Sequence, residues 1–301
     1  MNLLAELTLK PELWFFPFTH LPEGLWTSVL VGVTCGVLGC FVVLRRMALI
    51  GDALSHAILP GVVIAFLITG NTGVWGLLLG ALLSGLMTAV LINVVSQKSR
   101  TKEDSAIGIV FTALFALGLI LISNLPRGTH FDLKCFVFGI PDAVTKEEMQ
   151  LMAVITILVI GTIVLFYNSF KLVSFDPIAA TAMGIPVMFF HYLLMGMISA
   201  TVVAGLKTTG VILVVAMVIT PASAAYQLTN RFSHMLMLSG FFGGLSAILG
   251  MILAFVINAP SGPSMVLVAT MIFVLSMLLS PSHGYVFEKL RKYRLRRHID
   301  G

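Results

Sequence analysis

The segment RRMALIGDALSHAILPGVVIAF, residues 45–66, begins with two arginines and continues as an apolar run that contains one aspartate and one histidine. Asp52 and His56 are four residues apart, so they share one face if the segment is helical. An aspartate in the middle of a bilayer costs about 2.5–3.5 kcal/mol, so it must face a partner or a water-filled cavity. Two questions follow from this segment: whether the chain crosses a membrane, and what these two side chains bind.

The composition of the whole chain is typical of a membrane protein. Of its 301 residues, 58% are hydrophobic and only 10% are charged, whereas soluble domains are about 25% charged. Because apolar runs of about 20 residues predict membrane helices, we expect an all-α, polytopic integral membrane helical bundle. Its eight or nine spans are expected near 24–44, 53–70, 73–96, 104–123, 149–168, 186–206, 208–228, 234–257 and 263–280.

The basic residues predict the orientation of these spans. Six of the 18 lysines and arginines lie in the C-terminal stretch EKLRKYRLRRHIDG, which is too basic to cross a membrane readily and is expected in the cytoplasm. The connections at 45–52, 97–103, 169–185 and 229–233 then lie inside as well and carry seven more, so that 13 of the 18 are cytoplasmic.

The chain is expected to divide into three parts. Residues 1–22 form an interfacial segment, residues 23–280 form the transmembrane domain, and residues 281–301 form a basic cytoplasmic tail. On a membrane protein, such a tail favours anionic lipid headgroups or a cytosolic partner. We therefore expect membrane lipid and no nucleic acid among its partners.

The Asp52–His56 pair fits a divalent transition metal. A carboxylate oxygen and an imidazole nitrogen suit Mn²⁺, Fe²⁺ or Zn²⁺ better than Ca²⁺ or Cu⁺. Pro60 weakens the helix just beyond the pair and is expected to free backbone carbonyls there. In the alternative interpretation, Asp52 only caps the helix and His56 makes one interhelical hydrogen bond. Two ligands do not make a tight site, but a two-fold homodimer would bring two of each to one axis.

Other histidines are weaker candidates for metal binding. His191 lies in the apolar stretch IPVMFFHYLLMG and is predicted to be a packing residue. His130 and Asp132, in the outside connection 124–148, could meet a metal, although a solvated loop pair is the simpler interpretation. The three cysteines form no CxxC motif.

The stretch SFDPIAATAMGIP, residues 174–186, predicts a helix too short to cross the membrane. Asp176 is a suitable N-cap and Pro177 a suitable first helical residue, whereas Gly184 and Pro186 end the helix. The short helix would present a surface of small residues, Ala179, Ala180 and Ala182. We expect it to dock into a groove on a cytosolic partner; an ordinary capped interfacial helix is the alternative.

Four stretches together resemble the membrane permeases of bacterial ABC importers for manganese, zinc or iron, known as the ABC-3 family. They are RRMALIGDALSHAILPGVVIAF, SFDPIAATAMGI, GLKTTGVILVVAMVITPASAAYQL and NAPSGPSMVLVA. The resemblance covers residues 22–280 and implies a permease of the bacterial cytoplasmic membrane. It implies a second permease copy or a similar permease chain, two cytosolic ATP-binding subunits that bind the ATP, and an extracytoplasmic metal-binding protein that delivers the ion.

The resemblance also implies roles for particular residues. Asp52 and His56 match residues that line the metal pathway of the family, and 176–184 matches its coupling helix. The coupling positions in and beside this helix are Phe175, Asp176, Pro177, Ala179, Ala180 and Gly184. No permanently bound cofactor is implied, since the metal is the transported substrate.

These observations predict alternating access driven by the partner subunits. The chain contains no G-x-x-x-x-G-K-[ST] phosphate-binding loop, so we expect a translocase subunit that is not itself an enzyme. One alternative is a proton-coupled secondary metal transporter that works without ATPase subunits, with Asp52 and His56 as its proton relay. An intramembrane hydrolase is disfavoured, because the chain has neither HExxH nor G-x-S-x-G. The sequence does not separate manganese, iron and zinc.

Overall fold

A computed structural model describes residues 22–47, 49–69, 74–100, 102–123 and 144–280 of the chain. Regular structure in these ranges is entirely helical. The helices are α1 (Pro22–Leu44), α2 (Leu49–Ala57), α3 (Leu59–Thr69), α4 (Val74–Lys98), α5 (Glu103–Ser123), α6 (Lys146–Leu165), α7 (Tyr167–Phe175), α8 (Pro177–Ala182), α9 (Val187–Leu228), α10 (Phe232–Ile257) and α11 (Ser261–Leu279).

The predicted all-α membrane bundle is confirmed. Within the described ranges, eight candidate spans are long and apolar enough to cross a bilayer. The remaining predicted span, 208–228, corresponds to the shorter apolar helix Leu213–Leu228, which is the second half of α9. The two halves of α9 meet at Gly210, whose φ of 73° and ψ of 164° are accessible mainly to glycine. The predicted break near 206–208 is therefore present, a few residues further on.

Helix α1 forms the centre of the bundle with α9 and α10, and α11 packs against both of the latter. The α1–α10 contact depends on small residues, which let two helix backbones approach closely in lipid. A Cβ atom at Gly32 would lie 2.5 Å from the carbonyl oxygen of Gly243, which is too close for any side chain. In addition, the Ser239 hydroxyl donates a 2.6 Å hydrogen bond to the Gly36 carbonyl.

Two predicted boundaries differ from the structure. The span expected at 53–70 starts earlier, at Leu49, and is divided into α2 and α3 on either side of Ile58. The connection expected at 169–185 contains helix α7, which follows α6 directly after Phe166. The loop pair His130–Asp132, the interfacial segment up to residue 21 and the basic tail 281–301 lie outside the described residues.

Candidate metal pathway and coupling segment

Asp52 and His56 lie side by side on the open face of α2. The Oδ1 atom of Asp52 is 3.5 Å from Nε2 of His56, and their side chains are 45% and 30% exposed, respectively. The other residues of α2 from Ile50 to Ala57 are buried. The chain thus covers every face of this short helix except the one that carries its acid and its imidazole.

Two aromatic side chains of α5 pack against the imidazole ring of His56. The ring of Phe115 meets the His56 ring edge-on at 5.0 Å, and the Phe111 ring lies 6.1 Å away. The Nδ1 atom of His56 is buried and has no hydrogen-bond partner among the described residues. Sequence reasoning missed Phe111 and Phe115, although their four-residue spacing on one helix indicates a shared face.

At this place the described residues bring together two candidate metal ligands, Asp52 and His56. No group of three or more His, Cys, Asp or Glu side chains comes together in these ranges of the chain. Asp52 can donate carboxylate oxygens and His56 an imidazole nitrogen, which together suit a divalent transition metal. Both side chains are partly exposed, so they remain accessible to further ligands from outside the described residues.

The helix break beyond the pair has a clear cause. Pro60 has no N–H group, so it cannot donate to the carbonyl four residues earlier. The chain turns at Ile58, and the hydroxyl of Ser84 on α4 donates a 2.7 Å hydrogen bond to the Ala57 carbonyl. The expected weakening at Pro60 is present, and Ser84 satisfies one of the backbone carbonyls near the pair.

A basic turn leads into α2. Arg45 and Arg46 follow the end of α1, and Arg46 has a left-handed φ of 58°. The Nε atom of Arg45 donates a 3.2 Å hydrogen bond to the hydroxyl of Ser174, in the last turn of α7. This contact joins the turn before Asp52 and His56 to the segment that leads into α8.

Helix α8 is short and capped at both ends, as the sequence predicts. The Asp176 carboxylate accepts hydrogen bonds from the backbone N–H groups of Ile178 and Ala179, at 3.1 and 2.9 Å. At the other end Gly184 has a φ of +77°, and the N–H groups of Gly184 and Ile185 donate to the carbonyls of Thr181 and Ala180. This is the Schellman arrangement that stops a helix sharply.

The surface that α8 offers differs from the expected one. Ala180 is buried and Ala179 is half-buried, so the alanines do not form a continuous exposed face. The exposed side chains are large and apolar: Ile178 is 83% exposed and Met183 is 72% exposed, with Phe175 just before the helix also exposed. Ala180 lies on the face of the six-residue helix that packs against the bundle, and Ile178 lies on its exposed side.

Comparison with known proteins decides the family. The model of the ABC 3 transport family matches residues 18–280. The chain belongs to the ABC 3 transport family. The resemblance inferred from the four sequence stretches is thereby confirmed, and the match covers the whole predicted transmembrane domain.

This ABC 3 family member is similar to manganese transport system membrane proteins and to a solved structure. The manganese transport system membrane protein MntC of Halalkalibacterium halodurans is 48% identical over 267 residues, 89% of either chain. The protein of the same name from Listeria monocytogenes is 46% identical over 275 residues, 91% of this chain and 96% of its own length. The structure of PsaBC from Streptococcus pneumoniae in complex with Fab is similar, with a TM-score of 0.81 and 36% identity over 95% of this chain and 99% of that chain.

Proposed function

We propose that the chain is the membrane-spanning subunit of an ATP-driven importer that passes Mn²⁺ into the bacterial cytoplasm. The observation that carries this proposal is the Asp52–His56 pair, set 3.5 Å apart on the open face of α2. Relatives with 46–48% identity are named as manganese transport proteins, and both ligand types accept Mn²⁺. Zn²⁺ and Fe²⁺ fit the same two ligands and are the competing substrates.

The exposure of the pair supports a site shared between two permease chains. A charged group left against lipid costs about 2.5–3.5 kcal/mol, and the Asp52 side chain is 45% exposed in the single chain. A second copy, or a similar permease chain, would cover α2 and supply two further ligands. Four ligands of moderate strength would hold an ion in transit and still release it.

The exposed apolar residues of α8 support a docking role in the cytoplasm. Ile178, Met183 and Phe175 project from a segment fixed by a cap at each end, and large apolar side chains exposed together indicate an interaction site. We infer that they contact a cytosolic ATP-binding subunit, which binds and hydrolyses the ATP. An extracytoplasmic binding protein would deliver the metal to the opposite face, and the C-terminal tail would lie inside.

The test is metal uptake by the assembled transporter in proteoliposomes. With ATP inside the vesicles and loaded binding protein outside, the unmodified complex is expected to accumulate radioactive Mn²⁺. Asp52→Asn should abolish accumulation while the complex still assembles, because the substitution removes the anionic ligand at nearly constant volume. Asp104→Asn is the matched control, since it removes an exposed acid from the first turn of α5. Unchanged uptake in Asp52→Asn would contradict the assigned site.

The same vesicles separate the ATP-driven importer from the proton-coupled transporter. Vesicles that contain the permease chain without ATP-binding subunits should accumulate no Mn²⁺ when a proton gradient is applied. Uptake by the permease alone would favour the proton-coupled mechanism and contradict the proposal.

A further inference from the structure

Two cavities lie along one face of α4. The first has a volume of about 480 Å³ and lies where the end of α4 meets the Arg45–Arg46 turn and the start of α9. The second has a volume of about 530 Å³ and lies between α4, α6 and the first half of α9. Residues at 78, 82 and 86 line the second cavity, and residues at 93 and 97 line the first. These five positions share a single face of α4 at helical spacing.

The first cavity is basic and rich in hydrogen-bond donors. Arg45, Arg46 and His191 line it, together with the amide side chains of Asn93 and Gln97. Its lining, drawn from the described part of the chain, includes no aspartate or glutamate. A cavity with this lining fits a negatively charged group such as a phosphodiester, to which arginine can donate two hydrogen bonds at once.

The second cavity is apolar. Leu78, Leu82 and Leu86 of α4 face leucine, isoleucine and valine side chains of α6, and Gly196 of α9 lies in its wall. Thr162 and Tyr192 contribute the hydroxyl groups of this lining. In a membrane such a groove accepts a hydrocarbon chain, because lipid is the solvent at this depth.

A hydrogen bond marks the boundary between the two cavities. The amide nitrogen of Asn93, which lines the basic cavity, donates a 2.8 Å hydrogen bond to the hydroxyl of Tyr192, which lines the apolar one. A polar group at a membrane boundary next to an apolar groove matches the division of a phospholipid into headgroup and acyl chain.

We propose that one anionic phospholipid occupies both cavities, with its phosphate between Arg45 and Arg46 and an acyl chain along α4, α6 and α9. The proposed orientation of the chain assigns this lipid to the cytoplasmic leaflet. Ser174 and Pro177 also line the basic cavity, so the headgroup would touch the segment that leads into α8. Charge complementarity and the adjoining hydrocarbon groove favour a lipid over an acidic side chain of a neighbouring subunit.

Lipid retention by the full-length chain tests the headgroup part of the proposal. Delipidated protein in detergent is mixed with phosphatidylglycerol or phosphatidylcholine of identical acyl chains, and bound lipid is counted by native mass spectrometry. The unmodified chain should retain phosphatidylglycerol preferentially. Arg46→Gln should reduce that preference by roughly fivefold, the effect of one basic residue near an anionic headgroup. The matched control Arg231→Gln removes an exposed arginine outside the cavity lining and should leave the preference unchanged.

Filling the groove tests the acyl-chain part. A Cβ atom at Gly196 would contact only the end of the Leu86 side chain, at 3.4 Å, so Gly196→Leu is expected to fill the groove and lower phosphatidylglycerol retention. Gly161→Leu is the control, because Gly161 on α6 has no neighbour within 4 Å of such an atom and does not line the groove. Leu82→Phe fills the same groove and serves as the second variant if Gly196→Leu lowers the unfolding temperature.

Three results would overturn the proposal. Equal retention of the two lipids by the unmodified chain would show that Arg45 and Arg46 do not select an anionic headgroup, and would favour an acidic side chain of another subunit as their partner. Full retention in both groove-filling variants would show that no acyl chain lies there. Binding of soluble glycerol phosphate as tight as that of phosphatidylglycerol would indicate a free anion. Retention is measured without transport, so these results stand whether or not the manganese proposal holds.

Discussion

At the scale of single residues, the imidazole of His56 is the most constrained group of the candidate site. Its Nε2 atom faces Asp52, its ring lies against Phe115 and Phe111, and its Nδ1 atom is buried without a partner among the described residues. The aromatic contacts restrict the orientation of the ring. A ligand held in one orientation loses less conformational entropy on binding.

Loss of the Phe115 ring should therefore weaken metal transfer. We expect Phe115→Ala to reduce Mn²⁺ uptake by about tenfold, since loss of a group that orients a metal ligand typically costs 10–100-fold. The rate is measured in the proteoliposome assay at low Mn²⁺ concentration. Leu117→Ala, on the exposed side of the same helix, is the control and should transport normally. Equal rates for the two variants would show that the ring contact does not position His56.

The pair itself could be predicted from the sequence, whereas its surroundings could not. The i, i+4 spacing of an acid and an imidazole in an apolar run already indicates a shared face. Phe115 lies 59 residues after His56 in the chain, and no local sequence pattern predicts that α5 packs beside α2. Such long-range contacts follow from tertiary packing, and so does the burial of Ala180 that leaves Ile178 exposed on α8.

At the scale of elements, α8 is a six-residue helix that is capped at both ends. Asp176 satisfies backbone donors at its start, and Gly184 turns the chain at its end. Arg45 connects this segment to the turn before α2 through Ser174. If α8 couples to the ATP-binding subunit as proposed, its movement would reach Asp52 and His56 through the Arg45–Ser174 contact and the short stretch of backbone between Arg45 and α2.

The exposed apolar side chains should carry the contact with the ATP-binding subunit. We expect Ile178→Ser to weaken that association by roughly tenfold or more, because burial of an isoleucine side chain contributes about 1.5–3 kcal/mol. Thr181→Ser changes an exposed neighbour on the same helix and is the control. Co-purification of the ATP-binding subunit over a range of protein concentrations measures the effect. Association that is unaffected by Ile178→Ser would place the contact elsewhere.

The sequence predicts most helices and only some of their boundaries. Apolar runs bounded by charge locate the spans because their length is set by the bilayer. The break at Ile58 follows from Pro60. The sequence predicts a connection at 169–185, because the stretch now seen as α7 combines Lys171 with polar residues and lacks an apolar run of spanning length. Helix α7 packs against α6, α9 and α8. This tertiary packing stabilises its helical conformation.

At the scale of the whole molecule, close packing of α1 against α10 fixes the centre of the bundle. The backbone of Gly32 lies directly against that of Gly243, so the two helices approach more closely than side chains would allow. Without a hydrophobic driving force between helices in lipid, contacts of this kind supply much of the association energy. The α2 face that carries Asp52 and His56, the proposed metal ligands, lies outside this centre.

Gly32→Ala should lower the stability of the bundle. The added methyl group would collide with the carbonyl of Gly243, and overpacking of this kind costs about 1–3 kcal/mol. We expect a lower unfolding temperature for the full-length chain in detergent, measured by tryptophan fluorescence. Gly108→Ala is the control, because a Cβ atom there has no neighbour within 4 Å. Equal unfolding temperatures would show that the α1–α10 contact adapts without cost.

Electron spin echo spectroscopy of Mn²⁺ in the assembled importer tests the central claim most directly. If His56 ligates the ion, the Mn²⁺ signal should carry the modulation of a directly bound histidine nitrogen. His56→Gln should remove that modulation, and His191→Gln, which changes a histidine outside the pair, should preserve it. Nitrogen modulation that survives in His56→Gln, or that is absent from the unmodified complex, would contradict the account.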